Sequence, residues 1–185
     1  LKILTARPNP KDYQKIKHHL YGFLNVTKKF STGQWLKLSQ KKIEEIKKRK
    51  KIPIFVGGTG LYFKALTDGL VSIPNIPSRY RNKIRDLHKS LGQKKFYEKL
   101  LKNDPLLIGK ILSTDTQRSI RAYEIKMFTN KSITEWYEGT KSKFKKKDFF
   151  KLIIVNPRPM LIEKISARTI KMFEMGVISE VKKFL

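Results

Sequence analysis

Residues 54–66 are Ile-Phe-Val-Gly-Gly-Thr-Gly-Leu-Tyr-Phe-Lys-Ala-Leu, and the fold prediction starts from them. Three apolar β-formers without polar alternation are typical of a strand that is buried on both faces in a parallel sheet. From Leu61 onward the apolar residues recur at helical spacing, so the stretch predicts a strand, a tight turn and a helix. We therefore expect an α/β core whose turn lies at the carboxyl end of a strand, where open α/β sheets bind ligands.

The glycines of this turn suggest a binding loop. Gly57 and Gly58 would let a ligand approach the backbone, and Thr59 would either cap the helix or face the ligand. The free amides at a helix N-terminus favour an anion there. A tight connection without a ligand explains the same glycines equally well. The Rossmann pattern is excluded because Phe63 stands where its third glycine is needed, and no GxxxxGK[ST] phosphate loop occurs in the chain.

The charge balance indicates a polyanionic partner. The chain has 42 Lys and Arg residues against 15 Asp and Glu residues, a net charge of +27 and a pI near 10.3. A lysine-rich proteome is the alternative, since many of the lysines occupy ordinary helix-surface positions. The absence of cysteine excludes disulfides and thiolate metal sites, and three histidines give little metal potential. No apolar run of membrane-spanning length occurs, so we expect a soluble, cytoplasmic protein.

The remaining pattern divides the chain into three parts. We predict an α/β core at residues 1–73, a helical insertion domain at residues 74–140, and the return of the core at residues 141–185. In the first part, a capping box of Ser31 and Gln34 predicts a helix to about Lys50, which feeds a strand at residues 52–56.

The insertion has a wholly helical pattern from residue 78 to residue 139. Ser78 is predicted to cap its first helix, which Gly92 ends, and the next helix is marked by Phe96, Tyr97, Leu100 and Leu101. Further helices are predicted to start at Asp104-Pro105, at Asp115 and at the capping box that begins with Ser132.

The third part opens with a basic loop at residues 141–147 and a second apolar run at residues 149–155, which predicts a second buried strand. A helix should follow as far as Gly176, with an inner face formed by Leu161, Ile165, Thr169 and Met172. Lys164, Arg168 and Lys171 fall on a neighbouring stripe of that helix. Both ends look cut, because the chain opens on a residue other than methionine and closes inside a helical pattern, so we expect an internal fragment.

Four motifs, in this order and spacing, carry a resemblance to a known family. They are Ile3-x-Thr5-Ala6-Arg7-Pro8, Val56-Gly57-Gly58-Thr59-Gly60-Leu61-Tyr62, Asp115-x-Gln117-Arg118-x-x-Arg121-Ala122-x-Glu124, and Arg158 followed by Lys164-Ile165-x-x-Arg168-x-x-x-Met172-x-x-x-Gly176. Over essentially the whole chain, the sequence resembles the bacterial tRNA dimethylallyltransferases. The resemblance implies a P-loop NTPase-like parallel-sheet core with a helical insertion domain.

The reaction that the resemblance implies moves a dimethylallyl group from its diphosphate to N6 of the adenosine just 3′ of the anticodon. The implied partners are the tRNA anticodon arm and dimethylallyl diphosphate, without a membrane, and the implied state is a monomer. The resemblance also implies ATP binding and Mg²⁺, and it places the Mg²⁺ ligands upstream of Leu1. A diphosphate leaving group needs cationic and amide donors, and an adenine flipped out of an RNA loop needs a basic, aromatic-lined approach.

The resemblance also assigns residues. Arg168 matches the family arginine at the diphosphate, and Thr59 and Arg81 match positions that contact the tRNA. Another three residues match the insertion-domain segment that grips the anticodon arm: Gln117, Arg118 and Arg121. Possible supporting positions are Gly57, Gly58, Arg158 and Lys164. Taken singly, Thr59 is explained as a helix cap and each arginine as part of a solvated helix face.

The sequence also departs from the family pattern. Leu4 replaces a glycine, Thr116 a proline and Lys164 an arginine. By the resemblance, the phosphate-binding loop and the aspartate that takes the proton from the adenine amine lie upstream of Leu1, and helices that complete the tRNA surface lie beyond Leu185. We therefore expect the chain alone to be catalytically inactive.

Three other functions stay open. An adenylate-type isopentenyltransferase acting on free nucleotides would share the core, although it would not need a large basic insertion. A non-catalytic RNA-binding module would explain the charge and the helices, but not a buried strand that ends in Gly-Gly-Thr-Gly. A small-molecule kinase is disfavoured only by the family match.

Overall fold

The secondary structure is entirely helical. The structure, a computed structural model, describes all residues from Leu1 to Leu185. The α-helices are α1 (Pro10–Lys15), α2 (Thr32–Lys48), α3 (Gly60–Asp68), α4 (Ser78–Asn103), α5 (Thr116–Thr129), α6 (Ile133–Tyr137), α7 (Arg158–Glu174) and α8 (Val177–Lys182), with short 3₁₀ turns at Pro105–Leu107 and Lys146–Asp148.

The predicted parallel sheet is wrong, because neither predicted strand is paired. Residues 52–56 and 149–155 form no β-ladder, and most of their apolar side chains are exposed, with Ile54 at 82% and Ile154 at 86%. A strand needs a neighbouring strand to accept and donate its backbone hydrogen bonds, whereas a helix closes these bonds within itself. The two apolar runs have strand propensity, but neither has a neighbouring strand to pair with in this structure. The predicted P-loop NTPase-like α/β core is therefore not present.

The inner face predicted for α7 is also wrong. No residue of this helix is buried, and Leu161 and Ile165 are exposed. Met172 alone among the predicted inward residues is half-buried. The cause is the same, since an amphipathic helix is covered only where another element packs on it.

Several helix starts follow the predicted chemistry. Ser31 and Gln34 form the reciprocal capping box of α2, with the Gln34 amide donating to Ser31 Oγ at 3.2 Å and the Ser31 amide donating to Gln34 Oε1 at 2.8 Å. Asp115 caps α5 by accepting the Arg118 amide at 3.0 Å, and Ser132 begins α6 in a capping box. These short-range predictions are confirmed.

The predicted start of α4 is wrong, whereas the predicted break at Gly92 is confirmed. Pro77 holds the N-cap position and Ser78 is already helical, so Ser78 is no cap. Gly92 adopts a φ of 71°, which bends the chain between two helical stretches, but the helix resumes and continues to Asn103. Glycine reaches this backbone conformation without the steric cost of a Cβ, so it separates the two helical stretches, as predicted.

The chain divides into two compact units, which we call the discontinuous unit (Leu1–Val56 and Phe150–Leu185) and the helical unit (Gly57–Phe149). The core of the helical unit lies where α4 and α5 pack together. Phe96 is fully buried and its ring contacts that of Tyr123 at a centroid distance of 5.1 Å. The domain boundaries at residues 74 and 140 remain a prediction.

Within the helical unit, the segment at the end of α3 contacts the segment that follows α6. The Ser142 hydroxyl donates to the carbonyl oxygen of Leu66 at 2.6 Å. Gly69, with a φ of 97°, comes so close to the backbone of Lys141 that a Cβ on it would lie 2.6 Å from the Lys141 carbonyl carbon. The end of α3 and the segment after α6 are thereby held side by side.

Candidate functional site

Arg168 lies in a cleft of about 220 Å³ within the discontinuous unit. Arg168 and Lys171, one helical turn apart on α7, supply two cationic side chains, and Lys2 and Arg7 from the start of the chain supply two more. None of these four side chains forms an ion pair with an aspartate or glutamate. Their charge is therefore available to an anion that enters the cleft.

The rest of the lining is largely apolar. Ile3 and Ala6 come from the start of the chain, and Met172 and Met175 from the end of α7. Methionine is unbranched and adapts its shape to irregular apolar ligands. The cleft thus joins a cationic rim to a small apolar surface, the combination that suits a short hydrocarbon group attached to an anion.

Glu180 of α8 fixes the segment that carries Lys2 and Arg7. Its carboxylate accepts the backbone amides of Ile3 and Leu4 at 3.1 Å, and that of Lys2 as well. Burial acts to raise the pKa of the Glu180 carboxyl, but the hydrogen bonds from Leu4, Ile3 and Lys2 outweigh it and lower the pKa. A carboxylate that remains charged therefore holds this turn.

The guanidinium of Arg7 lies directly against Gly22. A Cβ placed on Gly22 would lie 2.1 Å from Arg7 Nη1, and the φ of Gly22 is 59°. The close contact favours glycine at this position as long as Arg7 keeps its place in the cleft.

The helical unit brings two predicted tRNA residues together around one carboxylate. Glu124 lies on α5, and its side chain is only 4% exposed. Its Oε2 accepts a hydrogen bond from Arg121 Nη1 at 3.2 Å. Arg81 on α4 places its Nε 4.0 Å from the same oxygen, Glu124 Oε2. Sequence spacing puts Arg121 and Glu124 on one helix face, but the approach of Arg81 is a tertiary contact.

The other two predicted tRNA residues of α5 point outward. Gln117 is exposed. Arg118 is 74% exposed and pairs with Asp115, the N-cap of its own helix, at 3.1 Å. Their predicted contact with tRNA remains a prediction.

The Gly-Gly-Thr-Gly turn is open to solvent. Gly57, Gly58 and Thr59 are exposed, and a Cβ on Gly58 would meet no atom within 4 Å. Thr59 holds the N-cap position of α3, but its side chain accepts no capping hydrogen bond. The turn leaves room for a ligand, and the roles assigned to these three residues remain predictions.

The supporting positions on α7 lie outside the cationic cleft. Lys164 Nζ is 3.5 Å from Asn156 Oδ1, and Arg158 is the first residue of the helix. No group of three or more His, Cys, Asp or Glu side chains lies close enough together to hold a metal ion. The Mg²⁺ that the resemblance implies remains a prediction.

Three residues of these sites were missed by reasoning from the sequence. Glu124 stands inside a quoted motif, where its spacing from Arg121 was a usable signal. Lys2 and Glu180 had no signal, because their contacts join the two ends of the chain, and such contacts have no sequence periodicity. No helix of the structure combines the length and the apolar character that crossing a membrane requires.

Comparison with known proteins places these sites in a family context. The family model "IPP transferase" matches residues 1–185. The tRNA dimethylallyltransferase of Pelagibacter ubique (strain HTCC1062) is 61% identical over 185 residues, which is all of this chain and 59% of that protein. The corresponding protein of Rickettsia massiliae (strain Mtu5) is 44% identical over 183 residues, covering 98% of this chain and 50% of that protein. The chain thus spans between half and three-fifths of the length of these relatives.

Two solved structures of transferases are also similar to this chain. A eukaryotic dimethylallyltransferase acting on tRNA matches with a TM-score of 0.77 and 27% identity over 99% of this chain and 45% of its own. The full-length tRNA isopentenylpyrophosphate transferase of Bacillus halodurans matches with a TM-score of 0.54 and 28% identity, over 98% of this chain and 56% of its own. Since the family model covers every residue, the chain belongs to the IPP transferase family.

Proposed function

We propose that this protein acts in the transfer of a dimethylallyl group from dimethylallyl diphosphate to N6 of the adenosine 3′ of the anticodon in tRNA. The observation that carries the proposal is the cleft at Arg168, in which four unpaired cationic side chains adjoin a methionine-lined surface. A diphosphate ester of a short branched hydrocarbon presents the matching anionic and apolar ends. The names of the relatives, tRNA dimethylallyltransferases, support the same reaction.

In this reaction, the N6 nitrogen attacks C1 of the dimethylallyl group and the bond from C1 to the diphosphate oxygen breaks. The electron pair of that bond stays on the diphosphate, and N6 loses a proton. Negative charge therefore builds on the leaving group as the bond breaks. Donors that hold the leaving group strengthen as the charge grows, and so lower the barrier.

Arg168 is suited to this role because a guanidinium donates two parallel hydrogen bonds to one phosphoryl group. Lys171 lies one turn further along the same helix face, and Lys2 and Arg7 come from another segment, so cationic groups approach the cleft from two sides. The resemblance implies an aspartate as the acceptor of the N6 proton.

The choice of RNA over a free nucleotide rests on the helical unit. Arg81 and Arg121 form a cluster separate from the cleft residues, on helices that a nucleotide-only enzyme would not need. The net charge of +27 favours a long polyanion. Filter binding of an anticodon stem-loop RNA in the presence of AMP checks this choice, and loss of RNA binding at modest AMP concentrations would favour the free-nucleotide function.

Isothermal titration calorimetry of the chain with dimethylallyl diphosphate tests the cleft. Arg168→Ala should weaken binding by about ten- to a hundredfold, since a hydrogen bond between charged groups is worth about 1.5–3 kcal/mol. Arg168→Lys should restore the affinity only in part. Lys37→Ala, which removes the same charge from an exposed position on α2, is the matched control and should bind like the wild type. Equal effects of Arg168→Ala and Lys37→Ala would overturn the site assignment.

A further inference from the structure

Glu124 has no role in the proposed reaction, and yet it is the most buried carboxylate that pairs with arginines in the helical unit. A charged group at 4% exposure is costly unless it is paired, because its hydration is lost. Both of its cationic neighbours were predicted to contact tRNA. A carboxylate facing two such arginines reduces their net charge, which would weaken binding if charge alone mattered.

The contact has a geometric effect that offsets this loss of charge. Arg121 reaches Glu124 Oε2 from the same helix at 3.2 Å, and Arg81 reaches it from α4 at 4.0 Å. A single oxygen atom is therefore shared by two guanidiniums that belong to different helices. Arg81 Nε is buried and makes no hydrogen bond, so its attraction to Glu124 is purely electrostatic.

Both guanidiniums remain available to a ligand. Their side chains are 36% and 39% exposed, and the hydrogen bond to Glu124 uses one N–H group of the five that the Arg121 guanidinium carries. Held side chains lose less conformational entropy on binding than free ones do. Arg118, at 74% exposure and paired only with a residue of its own helix, is not held in this way.

We propose that Glu124 is a positioning residue, which sets the spacing of Arg81 and Arg121 so that the pair fits phosphates of the anticodon arm and disfavours RNA of other shapes. This inference rests on the proposed function, because it takes tRNA as the ligand. It assigns Glu124 to the selectivity of RNA binding, and not to its overall strength.

Glu124→Gln separates positioning from charge by the sign of its effect. The substitution keeps the shape of the side chain and raises the net charge by one, so by electrostatics alone it should tighten binding to every RNA. If Glu124 positions the arginines, binding to an anticodon stem-loop should instead weaken. The two RNAs to compare are a stem-loop with adenosine 3′ of the anticodon and a fully paired hairpin of the same length and charge.

The quantity to measure is the ratio of the two affinities, by filter binding at fixed salt. A fraction of unfolded protein lowers both apparent affinities equally and leaves this ratio unchanged. We expect the wild type to prefer the stem-loop, and Glu124→Gln to reduce the preference about tenfold, as for the loss of one charge-assisted hydrogen bond. Glu124→Asp keeps the charge but retracts the carboxylate, and should also reduce it.

Asp86→Asn is the matched control. Asp86 lies on α4, is exposed and pairs weakly with Lys89 at 3.8 Å, so its loss changes the charge by the same amount without affecting Arg81 or Arg121. The control should keep the wild-type preference. Equal preferences in wild type, Glu124→Gln and Glu124→Asp would overturn the inference and leave the proposed function standing. A wild type without any preference for the stem-loop would overturn both.

Discussion

The helical unit and the discontinuous unit use their apolar residues in opposite ways. Of the thirteen buried apolar residues of the chain, only Ile43 and Val177 belong to the discontinuous unit, and the others all lie within Gly57–Phe149. The discontinuous unit instead exposes long apolar runs, with Phe150 at 89%. Equally apolar sequence thus forms a core in one unit and a surface in the other.

The difference follows from where each kind of element finds its hydrogen bonds. The core of the helical unit joins residues from Ile84 to Tyr123, a short contiguous span, and its helices satisfy their own backbone. An apolar run with strand propensity can bury its side chains only when other strands or helices cover it. A contiguous helical segment can therefore complete a core, whereas isolated strand segments cannot.

The largest expected effect tests this contrast directly. Phe96→Ala should cost about 3–5 kcal/mol of unfolding free energy, because it opens a cavity in the helical core. Phe150→Ala should change the stability by no more than about 0.5 kcal/mol, since that ring is exposed. The two tryptophans report the units separately, with Trp136 in the helical unit and Trp35 in the other. Urea unfolding followed by Trp136 fluorescence in a Trp35→Phe background measures the effect of Phe96→Ala. Urea unfolding followed by Trp35 fluorescence in a Trp136→Phe background measures the effect of Phe150→Ala. Similar costs for both substitutions would refute the contrast.

A second prediction concerns the closure of the helical unit. Gly69→Ala should destabilise it by about 2 kcal/mol, because the added Cβ meets the Lys141 backbone and the positive φ is strained. Gly58→Ala, in the same unit, is the control. Its Cβ meets nothing and its φ is not positive, so its urea midpoint should stay within about 0.5 kcal/mol of the wild type. Equal losses in both variants would show that the close approach of residues 69 and 141 contributes nothing.

The third prediction concerns ligand binding, because we propose a different ligand for each unit. If about five phosphates are neutralised, log K for stem-loop RNA should fall with log salt at a slope of roughly −3 to −4. Arg118→Ala should make this slope shallower by about 0.7 and weaken RNA binding only a few-fold, because the side chain is exposed. Its affinity for dimethylallyl diphosphate should not change. A salt-independent RNA affinity would refute the electrostatic account.

The smallest expected effect lies in the discontinuous unit and depends on pH. The pKa of Glu180 is lowered, since the hydrogen bonds from Leu4, Ile3 and Lys2 outweigh its burial. A carboxyl with a lower pKa in the folded state stabilises it above the unfolded pKa of 4.5, and this contribution is lost as the pH falls through the folded value. Glu180→Gln should therefore lower the urea midpoint, followed by Trp35 fluorescence, at about pH 7, and the difference from wild type should shrink as the pH falls below 4.5. A difference that is independent of pH would count against the charged carboxylate.

Local chemistry was the predictable part of the fold. The caps at Ser31, Asp115 and Ser132 depend on residues two to three positions away, so the sequence contains all the information needed. The strands at residues 52–56 and 149–155 were mispredicted because an apolar run shows only strand propensity. Whether a strand forms depends on tertiary partners that pair with it. The cap predicted at Ser78 was wrong because Pro77, one residue earlier, takes the N-cap position of α4.

The candidate sites were predictable to a similar degree. The resemblance pointed to Arg168, and Arg81 and Arg121 were each singled out, but no pattern showed that the last two share a carboxylate. Lys2 and Glu180 were absent from the prediction because they meet across almost the full length of the chain. Contacts at such separation leave no periodic trace in a single sequence.

The junction of Gly69 with Lys141, and of Leu66 with Ser142, has a consequence for how this segment can evolve. The two points where the chain leaves and rejoins it are fixed beside each other by a hydrogen bond and a backbone contact. Whatever lies between them can lengthen, shorten or acquire new side chains without changing the distance between these points. Residues 70–140 are in this sense an interchangeable module, in which the recognition of a ligand can diverge while Gly69 and Ser142 keep the two attachment points together.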